Sequence, residues 1–134
     1  MAPVVGMYRG TQLGPKGIRY FDPNLPKRTR RGSIHACGRA FEWVSGQPGV
    51  ASAKQYIGQL RRDSHYREVP SGQALRVDDV VVYQAYGRRG AGAVHGHVGV
   101  VGMQNDEPML VSLMNGARDI RRITGKPTFF RRVK

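Results

Sequence analysis

His97-Val98-Gly99-Val100-Val101, a short polar turn at Asn105-Asp106-Glu107-Pro108, then Met109-Leu110-Val111-Ser112-Leu113: this stretch decides the fold. Runs of β-branched and aliphatic residues joined by a turn too brief for a crossover predict an antiparallel hairpin with buried strands. Upstream, Val80-Val81-Val82-Tyr83 reads as a further buried strand, and 87–92 as a loop with Arg88 and Arg89 at its tip. Downstream, residues 128–133 read as a final edge strand, whose arginines discourage pairing with another chain.

Before residue 63 the periodicity is helical. Cys37, Phe41 and Val44 share one helical face, and Ser45-Gly46-Gln47-Pro48-Gly49 ends that helix. A second helix is expected from about Val50 to Arg62, with Val50, Ala53, Ile57 and Leu60 as its apolar stripe. Residues 1–33, rich in Gly, Pro and Arg, read as a basic and largely irregular arm, and 34–134 as the folded domain. Helices first and strands afterwards give an α+β domain, with N-terminal helices packed on a small antiparallel sheet.

The 134 residues suffice for one domain that needs no disulfide or metal to fold. No apolar run approaches the roughly 20 residues of a membrane-spanning helix, and the first residues lack the apolar centre of a secretory leader. The net charge of +13 is unevenly spread: residues 1–35 and 116–134 each carry seven basic residues and one acid, and 36–115 carry eight and seven. Cationic flanks favour polyanions, so Arg28, Arg30, Arg31, Arg131 and Arg132 are the candidates for contact with substrate or an anionic polymer.

Cys37 is the only cysteine. A thiol at the start of a helix meets orphan N–H groups and a positive dipole end, which stabilise a thiolate and an oxyanion alike. Its base must come from His35, His65, His95 or His97. His65 lies in a polar loop, whereas His97 opens an apolar strand that would hold it rigidly, with Gly96 and Gly99 leaving room for close approach. After one hairpin the chain returns to Asn115, positioned to orient the imidazole. A rival use of the same atoms is a zinc site from His35, Cys37, His95 and His97, but one-residue spacing between ligands is uncommon in structural zinc sites, and no metal or other cofactor is expected.

In these residues the chain resembles the CHAP family of cysteine, histidine-dependent amidohydrolases and peptidases, and more broadly the NlpC-type murein endopeptidases. The likeness lies in His97–Val101, in Val111-Ser112-Leu113-Met114-Asn115, in the helix after Cys37, and in Leu75–Tyr83 as the strand entering ahead of the histidine. It covers about residues 34–115. Ala36 stands where the family often has Asp, Leu113 where it commonly has Glu, and Asp78 where a Gly-Asp turn is usual. The resemblance implies a papain-like fold and cleavage of amide bonds in peptidoglycan, with Cys37 as nucleophile, His97 as base and Asn115 as orienter. The expected setting is a phage lytic or virion-associated enzyme. It would be a monomer without a leader, working from the host cytoplasm or the virion on peptidoglycan and anionic envelope polymers. A secreted antibacterial effector of the same chemistry is an alternative setting. A catalytically silent virion or nucleic-acid-associated protein is the alternative function.

Overall fold

The computed structural model describes residues 4–25, 36–114 and 117–134. The order of elements is β1 (Gly6–Tyr8), β2 (Thr11–Leu13), α1 (Pro15–Arg19), α2 (Ala36–Ser45), a 3-10 turn (Ala53–Gln55), α3 (Tyr56–Arg62), β3 (Tyr66–Glu68), β4 (Val80–Tyr83), α4 (Ala91–His95), β5 (His97–Gln104), β6 (Glu107–Met114), β7 (Ala117–Arg122) and β8 (Thr128–Arg132). The fold is mixed helix and antiparallel sheet, as the sequence predicts. The sheet is not small: all eight described strands belong to it.

Across the sheet the order is β3-β8-β4-β5-β6-β7. β5 is longer than β4. Its first half pairs with β4, with Val82 opposite Val98 and Tyr83 opposite His97. Beyond the end of β4 its second half meets β2, where Gln12 faces Met103. The predicted hairpin is β5–β6, with Val100 opposite Val111. Asn105 and Asp106 both take positive φ at its tip, a conformation their short polar side chains tolerate.

Period-two alternation sends successive side chains to opposite faces. Val80, Val82, Val98, Val100, Val111, Leu113 and Phe130 face the helical layer, where they meet Phe41 and Val44 of α2 and Tyr56, Ile57 and Leu60 of α3. Phe41 and Tyr56 lie edge to face with ring centroids 5.0 Å apart. The other face holds a smaller apolar cluster of Val81, Tyr83, Val101 and Leu110. Both faces of the central strands are buried, which explains why Val80–Tyr83 is an unbroken apolar run.

Two expectations change. Residues 4–25 are not a detached arm, because Leu13, Tyr20 and Leu25 are core residues and β1–β2 extends the sheet. The tie is Asp78, whose carboxylate accepts the backbone N–H groups of Lys16 and Gly17 at the start of α1, both at 2.8 Å. Asp78 also occupies a positive φ of 69°, a conformation that favours glycine. A Cβ on Gly14 would come within 2.6 Å of that carboxylate, so glycine permits the approach. Second, β8 is not an edge strand but lies between β4 and β3. A strand not read from the sequence is β7, which has too many charges for an apolar pattern to reveal it, yet pairs with β6 along its whole length. In the second predicted helix, regular structure starts at the 3-10 turn, behind a Ser52-x-x-Gln55 capping box.

Candidate functional site

Cys37 is the second described residue of α2. Burial holds its thiol pKa above the ordinary value, outweighing the lowering by backbone N–H groups of Val98, Gly38 and Cys37 itself. Cys37 therefore sits against the start of β5, beside the residue that follows His97. The surroundings are apolar and phenolic. The Tyr56 hydroxyl donates to the Gly38 carbonyl at 3.2 Å. Tyr20 is fully buried, and its hydroxyl has no hydrogen-bond partner among the described residues. Burial first, and then the proximity of Cys37, raise the Tyr20 pKa well above its ordinary value.

His97 does not share this space. Val98 points into the helical layer, so His97 points out of the other face. There its Nε2 lies 2.8 Å from the Ser112 hydroxyl, and its ring rests on Tyr86 with centroids 4.8 Å apart. Burial lowers its pKa to about 4, helped by Arg121 and opposed by Asp119. At neutral pH the ring is uncharged. Cys37 and His97, the pair selected from the sequence, thus face opposite sides of one sheet. The glycine spacing has a different meaning from the one expected. A Cβ on Gly99 would lie 2.6 Å from the Val111 carbonyl, so the space it leaves is filled by β6. Asn115, the expected orienter, lies outside the described residues, as does His35.

His95 is joined to the helical side. It ends α4, and Gly96 follows with a φ of 79°, which breaks the alternation between the two histidines. Its Nδ1 lies 2.6 Å from the Oγ of Ser52, the residue that caps the 3-10 turn leading into α3. That turn contributes Ala53 to the core that contains Cys37, and the next residue, Tyr56, reaches Gly38. The Ser52–His95 pair was not selected from the sequence, though the capping box was a signal for the position of Ser52. The Ser112–His97 contact has no such signal, because it depends on cross-strand register. His95 and His97 approach different serines, so they do not form the convergent ligand pair that the zinc alternative needs. No group of three or more His, Cys, Asp or Glu side chains able to hold a metal occurs among the described residues.

The arginine candidates also divide. Arg131 is not a surface group. It forms a buried two-point pair with Asp79, through Nε at 2.9 Å and Nη2 at 2.7 Å, and Nη2 also donates to the Ala74 carbonyl at 2.8 Å. Its guanidinium is consumed internally, because a buried cation requires a partner with full hydrogen bonding. Arg132 is exposed, with its guanidinium 5.6 Å from the Tyr66 ring centroid. Arg28, Arg30 and Arg31 lie outside the described residues. No described helix is long and apolar enough to cross a membrane.

Neither a family model, nor a curated protein, nor a solved structure matches the chain.

Proposed function

We propose that the chain is a cysteine-dependent amide hydrolase of the papain-like type, acting on peptide bonds of the bacterial cell wall, with Cys37 as nucleophile. The observation that carries this reading is the seat of the thiol. It lies at the start of α2, where backbone N–H groups of Val98, Gly38 and Cys37 itself favour the thiolate against the burial that raises the thiol pKa. Such donors stabilise a thiolate, and after attack the same groups suit the oxyanion of the tetrahedral intermediate. The base belongs on the helical side of the sheet, and among the described histidines His95 is the one connected to it, with Ser52 as orienter. In the step itself, the base removes the Sγ proton as sulfur bonds to the carbonyl carbon. It returns that proton to the departing amine when the C–N bond breaks, and water then hydrolyses the thioester. The setting we favour is a phage lytic or virion-borne enzyme.

A second reading is favoured by burial: a papain-like relative without catalysis, serving as a virion or nucleic-acid-associated protein. Cys37 is only 7% exposed and His97 is turned away from it. Digestion of purified peptidoglycan by the wild type and by Cys37→Ala, followed by mass analysis of the fragments, separates the two. New amine and carboxyl ends with the wild type alone support the hydrolase. Fragments from neither protein overturn it.

A further inference from the structure

A groove of about 650 Å3 opens on the sheet beside the end of β4, between the loop that leads to α4 and the turn that joins β7 to β8. Tyr83, Gln84 and Tyr86 form one wall, and Thr124, Lys126 and Thr128 the other. The two walls are stapled together: the Tyr83 hydroxyl donates to the Thr124 carbonyl at 2.6 Å. The 84–92 loop is closed on itself by the Tyr86 N–H donating to the Gly92 carbonyl at 2.8 Å. The Tyr86 ring is held edge to face on Tyr83, with centroids 4.7 Å apart, and stays partly exposed. These are preorganised walls rather than a surface that a ligand must first order.

No carboxylate lines the groove. Lys126 stands in one wall, and Arg88 and Arg89 follow directly from the other, all three exposed. None of them pairs with an acid among the described residues, whereas Arg61, Arg121, Arg122 and Arg131 each hold a carboxylate. The groove lining adds neutral hydrogen-bonding groups: one amide, from Gln84, and two hydroxyls, from Thr124 and Thr128. Cations flanking neutral hydrogen-bonding groups match a polymer in which phosphates alternate with hydroxylated or ether units.

We propose that this groove binds a linear phosphodiester chain, with Arg88, Arg89 and Lys126 on the phosphates and Gln84, Thr124 and Thr128 on the units between them. This chemistry is shared by a single-stranded nucleic acid and by the polyol-phosphate polymers of cell walls. The site lies on the His97 face and does not depend on Cys37 being a nucleophile. It relocates the polyanion contact from the terminal arginines to the sheet.

The test uses the full chain and two labelled probes with equal numbers of phosphates, an oligothymidylate and a poly(glycerol phosphate), followed by fluorescence anisotropy from low to physiological salt. Replacing Arg88, Arg89 and Lys126 together by Gln should weaken binding about ten-fold or more and flatten the log–log salt slope by about 2, as expected for three lost phosphate contacts. A control variant with Arg9, Arg19 and Arg62 changed to Gln loses the same charge outside the groove and should bind within about twofold of wild type. Circular dichroism verifies that both variants fold. Tighter binding of the oligothymidylate, lost in Tyr86→Leu, assigns the natural ligand to nucleic acid through base stacking. Equal or tighter binding of the glycerol polymer, insensitive to Tyr86→Leu, assigns it to the wall. Equal weakening in the groove and control variants, or no binding of either probe by the wild type, overturns the proposal.

Discussion

The two faces of the central sheet bury their side chains by different means. The helical face is an apolar core built from α2, α3 and the Val-rich strands, with one thiol set in it. The opposite face has a thinner apolar cluster and carries Asp79, His97, Ser112 and Arg131, four of the buried polar residues. Each of the four has a partner on the same face. On the first face, stability comes from area removed from water and from close packing. On the second it depends on mutual satisfaction of polar groups, where loss of one member strands the other. The same contrast separates the two histidines. His97 is held by a structural network, whereas His95 reaches across to the helical side.

The largest effect expected from breaking this comparison is at Cys37. Cys37→Ala should remove all measurable peptidoglycan hydrolysis while leaving the far-ultraviolet dichroism and melting temperature close to wild type, because Ala fills most of the small apolar site. Activity retained in this variant would eliminate the thiol mechanism.

The two histidines come next. His95→Ala should lower kcat by about 10²- to 10⁴-fold, the usual contribution of a general base. His97→Gln should retain most of the activity but melt earlier. The reverse order would return the base to His97, and would mean that the working enzyme brings that ring to the thiol side.

Breaking the buried pair with Asp79→Ala should cost about 3–5 kcal/mol by leaving the Arg131 charge unpaired. Replacing both residues, as Asp79→Leu with Arg131→Met, should cost much less. Chemical denaturation of the single and double variants measures the difference, and additive losses would show that the two side chains do not act as a unit.

The acid limb is a smaller and pH-confined effect. His97 has a folded pKa of about 4 against an ordinary 6.5, so between those values the unfolded chain binds more protons than the folded one. Stability from this residue is therefore present above pH 6.5 and falls as the pH drops towards 4, by about 3 kcal/mol in all. In His97→Gln that stretch of the stability curve should be flatter. An unchanged slope would mean that other groups control it.

The smallest change is expected for Asp78→Gly. Glycine relieves the positive φ but surrenders the two N–H contacts that hold α1, and these opposing terms are each about 1 kcal/mol. Protection of the α1 amides in hydrogen exchange should fall even if the melting temperature barely moves.

What the sequence by itself determined is local. Short β-branched runs, the Asn105–Pro108 turn and the apolar stripes after Cys37 and around Ile57 were enough for the β5–β6 hairpin, β4 and the two core helices. Each of those patterns is written in consecutive residues. The placement of Cys37 at a helix start was legible for the same reason. Only the tertiary structure decided which side of the sheet each reactive group faces. That depends on the register of β5 against β4 and β6, and on one positive φ at Gly96, where a change of one residue exchanges the faces. It also decided the fate of charges. Arg131 and Arg132 are neighbours in a basic tail, yet strand alternation buries one on Asp79 and leaves the other at the surface. Partners 52 residues apart, as Asp79 and Arg131 are, leave no trace in local composition, because the chain must first fold to bring them together.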